Sequence, residues 1–466
     1  MSLDLRHPLP GTRALVVGAA RSGVAAARLL HRHGLEVAIC DRRSEAEIGE
    51  AARALAADGV ACAWGRDDAG LLADHEFLVW SPGIPIEHPL AAAARAAGRP
   101  VNGELELGYR ASRAPFVCIT GTNGKSTTTD LVGALLRAAG REVEVCGNIG
   151  RAVCEVAEQV SPTGLLVVEV SSFQLETVDR LRPSIATWLN LTPDHLDRHH
   201  TLAEYGAMKQ RLFARQTEED WAILNADDPE VVSRRTGEGA ASEFSVSRPV
   251  DEGAFFEDGA VLLAHRGGHE RLLRREDVRL PGPHNLANVL AALATVLPLE
   301  PGADVLRKVL REYRGLEHRL EPAGELAGVR FVNDSKATNT DSLRVALQSF
   351  PEPVVLIAGG RDKGQDFRPL LPLVERHVRH LVLIGEGAET LAKAWPGVRQ
   401  ERAASLAAAV RAAWEAARAG LANGGSGATV LLSPGCASFD MFKDYEDRGR
   451  RFKEEVARLA AKGVTA

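Results

Sequence analysis

A chain of 466 residues is too long for one compact core; at about 100 to 200 residues per domain it divides into two to four, with three the expectation. Apolar residues at 45% and charged residues at 25% exclude a disordered chain, and a net charge of −6 with 5% aromatics argues against a general nucleic-acid or membrane-surface binder. The cysteines form no C-x-x-C pair, and there is no signal peptide and no apolar run of the roughly 18 residues that span a membrane, so free thiols in a soluble cytoplasmic protein are expected.

From the N-terminus, short apolar runs alternate with alanine-rich helical stretches, the pattern of βα units on mainly parallel sheets, so the fold class is α/β. A strand over 13–18, a helix over 24–33 and a strand over 36–41 ending in Asp41 make a Rossmann-like opening. Between them, Gly18-Ala19-Ala20-Arg21-Ser22-Gly23 carries Ala20 where a dinucleotide fingerprint has its second glycine. A nicotinamide cofactor is therefore disfavoured against another nucleotide-like ligand. A strand over 77–80 runs into Ser81-Pro82-Gly83-Ile84-Pro85, either the lining of a ligand crevice or a simple loop. Residues 100–103 make a domain boundary.

The next strand, 116–119, leads into Thr120-Gly121-Thr122-Asn123-Gly124-Lys125-Ser126 and then a helix from Thr127. Glycines that admit an anion to the backbone, a helix N-terminus, a lysine and a hydroxyl for Mg²⁺ together make a phosphate cradle. Its spacing is shorter than the general P-loop, which would need glycine at Ile119. In the run 165–170, Glu169 interrupts a buried-strand pattern; an acid there costs roughly several kcal/mol unless paired, protonated or bound to a cation. It is read as a Mg²⁺ ligand, or else as an acid at an exposed strand end. A strand over 186–191 empties into Thr192-Pro193-Asp194-His195-Leu196-Asp197-Arg198-His199-His200. His195 and His199 have the i, i+4 spacing of a zinc pair, but Leu196 stands where a zinc protease has Glu and no cysteine accompanies them. A solvated loop and a single histidine joining oxygen ligands around Mg²⁺ are the other readings.

Further strands are expected at 329–333, 354–358, 381–384 and 429–432, a second doubly wound sheet from about Gly315 onward. The glycine-rich stretch 424–427 reads as a surface loop, since no lysine follows it. A nucleotide-binding oxidoreductase remains an alternative of another class.

Gly121-Thr122-Asn123-Gly124-Lys125-Ser126, Glu169 before Ser171-Ser172-Phe173-Gln174-Leu175-Glu176, Asp194-His195-Leu196-Asp197, Asn225-Ala226-Asp227-Asp228-Pro229 and His284-Asn285-x-x-Asn288 occur in the order shown by the Mur ligase family, which the whole chain resembles. The resemblance implies an ATP-dependent amide ligase of peptidoglycan precursor synthesis, with ATP and Mg²⁺ as cofactors. The early Ser81-Pro82-Gly83-Ile84 and late Ser433-Pro434-Gly435-Cys436-Ala437-Ser438-Phe439-Asp440 point, within it, to D-glutamate addition onto UDP-N-acetylmuramoyl-L-alanine. A folylpolyglutamate-type ligase is the alternative within the superfamily.

Three domains are implied: 1–103 for the UDP-sugar, 104–314 for ATP and 315–466 for the amino acid. By resemblance, Gly121 to Thr127, Asn285, Asn288, Arg319 and Asp334 face ATP, with Lys125 neutralising the transferring phosphoryl. Ser126, Glu169, His195 and, if carbamylated, Lys209 look like Mg²⁺ ligands; without the family context Lys209 reads as an exposed helical lysine. Lys125, His195 and Lys209 form the catalytic set. Asp41, Ser81, Gly83 and Asn148, with Ser22 and Arg43, match UDP-sugar positions, whereas Arg42 departs from the expected threonine. Lys336, Thr338, Lys363, Ser438 and Phe439 match the amino-acid pocket. A monomer is expected, without nucleic acid or membrane partners.

Overall fold

The computed structural model describes residues 7–280, 282–362, 365–422 and 428–463. They form two compact units, Met1–Arg279 with Asn285–Tyr313 and Leu280–His284 with Arg314–Ala466. The first holds two sheets and the second one.

The first sheet contains β1 (Arg13–Val17), β2 (Glu36–Asp41), β3 (Ala61–Trp64), β4 (Phe77–Trp80) and β5 (Val101–Gly103), all parallel in the order β3-β2-β1-β4-β5. Strand order reverses between β1 and β4, so the chain ends after Val17 and Trp80 diverge and leave a crevice at the carboxyl edge. The helix Arg21–Arg32 buries Val24, Ala26, Leu29 and Leu30 on this sheet. Its core continues onto Leu107, Ala111 and Cys154, which fixes the sheet against the next layer.

The second sheet contains β6 (Phe116–Thr120), β7 (Val143–Gly147), β8 (Leu165–Glu169), β9 (Ile185–Trp188), β10 (Trp221–Asn225), β11 (Ala240–Ser245), β12 (Gly253–Glu257), β13 (Ala260–His265) and β14 (Gly268–Arg274). Their order is β14-β13-β12-β11-β10-β9-β6-β8-β7. Every residue of β6 and β8 is buried, as expected for central strands covered on both faces. Full burial of each large apolar side chain there contributes about 1.5 to 3 kcal/mol. β12, β13 and β14 pair antiparallel, which parallel βα reasoning does not anticipate. The expected strand over 186–191 stops at Trp188, because Asn190 turns away to hold another loop.

The third sheet, in the second unit, contains β15 (Glu321–Leu326), β16 (Val329–Asn333), β17 (Val354–Gly359), β18 (Val378–Ile384), β19 (Gln400–Arg402) and β20 (Ala428–Leu432), ordered β15-β16-β20-β17-β18-β19. Only β15 runs antiparallel to its neighbour. Helices cover both faces through two separate apolar clusters. No helix among the described residues is long and apolar enough to cross a membrane.

Candidate active site

The phosphate loop leaves β6 and enters the helix Lys125–Ala138, capped by Gly124 in the left-handed conformation at φ 84°. Asn190 shapes the loop from the neighbouring strand end: its Oδ1 accepts the N–H groups of Thr122 (3.0 Å) and Asn123 (2.8 Å), and its Nδ2 donates to the Asn123 carbonyl. Those two N–H groups therefore hold the loop rather than an anion. The helix begins with Lys125, Ser126 and Thr127, and a helix N-terminus of this kind favours an anion. A Cβ on Gly124 would stand 2.2 Å from Asn288 Oδ1, so only glycine admits this close approach. Asn288 and Asn285 are both buried beside the loop, and Asn288 Nδ2 donates to Asn285 Oδ1 at 3.0 Å.

Two lysines converge on one carbonyl. Lys125 Nζ and Lys209 Nζ each lie 2.8 Å from the Gly121 oxygen, and Lys125 also reaches Thr122 O at 2.7 Å. Lys209 is 1% exposed, which corrects its reading as an exposed helical residue. Burial, and then the adjacent Lys125 ammonium, hold its amine well below the ordinary lysine range. The Tyr205 ring lies 4.4 Å from its nitrogen.

Glu169, at the end of β8, is 2% exposed, so the reading as an exposed strand end does not hold. Asn148 Nδ2 donates to its Oε1 at 2.6 Å, while Oε2 has no hydrogen-bond partner among the described residues. An orphaned buried carboxylate oxygen is costly, and a divalent cation resolves it. Ser126, buried in the first turn of the helix after β6, carries a hydroxyl of the kind that accompanies such a cation. The residues thus fit Mg²⁺.

His195 is not helical: it caps the short helix Leu196–His199 at φ 54°, with its side chain 43% exposed and its ring 4.8 Å from Phe173. His199 is buried and its Nε2 meets Ser172 Oγ at 2.9 Å. Burial, then Arg198, His195 and Lys209, push its pKa down to about 4. The i, i+4 pair therefore does not form a ligand pair on one helix face. Among the described residues no group of three or more His, Cys, Asp or Glu is arranged to hold a metal by itself.

The crevice of the first sheet is a cavity of about 440 Å³ lined by Ser22, Asp41, Arg43, Ser81 and Gly83. Arg42 also lines it. Asp41 accepts from Ala19 N–H at 2.8 Å and from Arg43 through Nε and Nη2. Burial raises its carboxyl, but these donors outweigh burial and hold it at about 2. Ser81 Oγ donates to Gly18 O across the mouth. Arg21, which the sequence reading passed over, donates to the carbonyls of Gly147, Asn148 and Gly150 and so braces the loop bearing Asn148.

In the second unit, Asp334 is buried after β16, accepting from Leu320 N–H (3.2 Å) and Ser433 Oγ (2.8 Å). Burial lifts its pKa to about 7 against the pull of Ser433 and Arg319. Lys336 and Thr338 follow on a half-buried loop, Ser438 is 2% exposed and Phe439 is 61% exposed. Arg448, wholly buried, ties these loops: Nη2 donates to Ser335 O at 2.8 Å and Nη1 to Cys436 O at 3.1 Å. The positions Lys363 and 424–427 lie outside the described residues.

Three family descriptions match in succession: Mur ligase MurD-like N-terminal domain over residues 12–103, Mur ligase middle domain over 119–296, and Mur ligase glutamate ligase domain over 318–436. The chain belongs to the Mur ligase family. This Mur ligase is 44% identical over 453 residues to the UDP-N-acetylmuramoylalanine–D-glutamate ligase of Geobacter metallireducens, covering 97% of this chain and 98% of that protein. It is 43% identical over 457 residues to the ligase of the same name from Syntrophotalea carbinolica, covering 97% and 99%. Among solved structures, it shares its fold with MurC of Thermotoga maritima (TM-score 0.57, 18% identity, 96% and 100% covered) and MurF of Acinetobacter baumannii (TM-score 0.58, 17% identity, 96% and 94% covered). The three-domain α/β expectation is borne out by the three sheets of this Mur ligase and by those neighbours.

Proposed function

We infer that the chain is an ATP-dependent ligase that joins D-glutamate to UDP-N-acetylmuramoyl-L-alanine through an acyl phosphate, in peptidoglycan precursor synthesis. The observation that carries the chemistry is the meeting of Lys125 and Lys209 on the Gly121 carbonyl. The full-length relatives named for this reaction support the choice of substrates. We assign 1–103 to the UDP-sugar, 104–314 to ATP and 315–466 to the amino acid.

The substrate carboxylate attacks the γ-phosphorus of ATP and the bond to the β–γ bridging oxygen breaks to release ADP; the neutral amine of D-glutamate then attacks the resulting acyl carbonyl, and the tetrahedral intermediate expels phosphate while the nitrogen loses a proton to solvent. No covalent nucleophile is required from the protein, whose part is positioning and charge neutralisation. Lys125 would exchange its two carbonyl acceptors for phosphate oxygens, Ser126 and Glu169 Oε2 are the groups that would hold Mg²⁺, and His195 is the residue assigned to a second ion. When bound, Mg²⁺ neutralises charge on the transferring phosphoryl group. Lys209, whose burial disfavours the ammonium form, is suited to add CO₂ as the amine: its lone pair forms an N–C bond, a C=O pair moves to oxygen and the nitrogen loses a proton to water. That carbamate supplies an anionic oxygen ligand. Asn285, Asn288, Arg319 and Asp334 are assigned to ATP, Asn148 and the lining of the first cavity to the UDP-sugar, and Lys336, Thr338, Lys363, Ser438 and Phe439 to D-glutamate.

The test is phosphate release with UDP-N-acetylmuramoyl-L-alanine, ATP and Mg²⁺, comparing D-glutamate with L-glutamate, L-lysine and meso-diaminopimelate. D-glutamate alone is expected to stimulate release, and Lys125→Ala to abolish it in a folded protein. Stimulation by a diamino acid with none by D-glutamate overturns the assignment.

A further inference from the structure

Arg198 has no part in the reaction steps above, yet its guanidinium is among the most heavily used groups near the site. It lies three residues after His195 in the short helix Leu196–His199, with its side chain 10% exposed. Nε donates to Glu176 Oε1 at 2.9 Å and Nη2 to Glu176 Oε2, a bidentate fork onto a carboxylate that is itself 5% exposed. Nη1 donates to Pro82 O at 2.8 Å and Nη2 to Ile84 O at 3.1 Å. Its Cζ stands 4.3 Å from the centroid of Phe173, the ring that packs against His195.

Three segments thus meet on one planar cation. Pro82 and Ile84 belong to the loop after β4 and line the first cavity. Phe173 and Glu176 belong to the turn that follows Glu169, and Arg211 Nη1 fastens that turn from the other side by donating to Glu176 O at 2.9 Å. His195 belongs to the segment that carries Arg198 itself. A guanidinium held in a fork cannot follow one partner without disturbing the others, because its donors lie in one rigid plane. Any displacement of the 82–84 carbonyls when the cavity fills therefore reaches Glu176, Phe173 and the backbone next to His195.

We propose that Arg198 is a positioning residue that couples occupancy of the first cavity by the uridine nucleotide to the placement of His195 and of the turn after Glu169. This rests on the substrate reading above. Coupling of this kind is reciprocal, so UDP-sugar and ATP raise each other's affinity through it. Lysine in place of Arg198 keeps the charge and its position over Phe173, but loses the fork and cannot donate to Glu176 and two carbonyls at once.

The experiment is calorimetric titration of the full-length protein with UDP-N-acetylmuramoyl-L-alanine, with and without a saturating non-hydrolysable ATP analogue and Mg²⁺. In the parent protein the analogue is expected to tighten UDP-sugar binding by a factor of about 5 to 150. In Arg198→Lys that factor collapses toward unity, while each ligand alone binds within about threefold of the parent, since neither binding surface loses a direct contact. Glu176→Gln, which keeps the volume and removes one side of the fork, gives the same collapse and serves if Arg198→Lys folds poorly. A merely structural role would lower thermal stability and leave the factor unchanged in the folded fraction. A factor of one in the parent, or one preserved in both variants, overturns the inference. Absence of any UDP-sugar binding to the parent instead overturns the substrate reading.

Discussion

Replacing Gly124 by alanine strikes the phosphate loop at its tightest point. Gly124 sits at φ 84°, ψ −14°, and an alanine held in that left-handed conformation costs about 1 to 2 kcal/mol. The new Cβ would also stand 2.2 Å from Asn288 Oδ1 and 3.2 Å from its Cγ, so the asparagine must withdraw. Withdrawal strains its hydrogen bond to Asn285 (3.0 Å) and its contact with Thr128 Oγ1 (3.5 Å), losing about 1 kcal/mol from the shorter bond and less from the longer. The total is about 2 to 3 kcal/mol, and a domain of roughly 200 residues shifts its melting temperature by about 2 to 4 °C per kcal/mol. The expected fall is therefore about 4 to 12 °C in a thermal melt. Because Asn288 is assigned to ATP, the KM for ATP in the phosphate-release assay rises about tenfold, the equivalent of one lost hydrogen bond. A variant that melts within about 1 °C of the parent, with an unchanged KM for ATP, refutes the close-approach argument.

Lys209 predicts a pH dependence. Its folded amine is held well below 10.5, so at pH values between the folded and unfolded pKa the unfolded chain binds a proton that the folded chain does not, and across that window this group makes stability of the ligand-free protein rise with pH, levelling off at about 10.5. In CO₂-free buffer Lys209→Met is expected to flatten that rise and melt higher than the parent at pH 7, while losing ligase activity; an unaltered slope of melting temperature against pH sinks the reasoning. Asp41 acts in the opposite range: its carboxyl is held at about 2 against 3.8, so its contribution is present above pH 3.8 and lost as pH falls toward 2. Asp41→Asn should remove that part of the acid-unfolding curve and raise the KM for UDP-sugar but not for ATP. Equal acid limbs in the two proteins would contradict it.

The strands that frame the first cavity and the loop after β6 were legible because their apolar runs are buried on both faces, and Glu169 was legible because an acid there demands a partner. The antiparallel meander of β12, β13 and β14 was not anticipated, although its signals exist: Asp258-Gly259 and Arg266-Gly267 are two-residue turns with positive φ at all four residues. Other features left no local trace. Asn190 reaches Thr122 across 68 residues and Arg198 reaches Pro82 across 116, so neither spacing nor periodicity announces them. Arg448 reads as one more basic residue of an amphipathic helix until its burial against two loops is seen. The histidine spacing misled for a related reason: a left-handed residue at His195 breaks the helical phase on which an i, i+4 argument depends.

The hydrogen bond from Asn148 to Glu169 also bears on which ion the proposed site would prefer. With Oε1 already accepting an amide N–H at 2.6 Å, Oε2 is the oxygen of Glu169 without a hydrogen-bond partner among the described residues, and ligation through that single oxygen would keep the amide bond undisturbed. Calcium gains much from bidentate carboxylates in a wide, flexible shell, whereas magnesium keeps a small octahedron filled by single oxygens and water. We therefore propose that one asparagine side chain, without touching an ion, favours the smaller one at the proposed site.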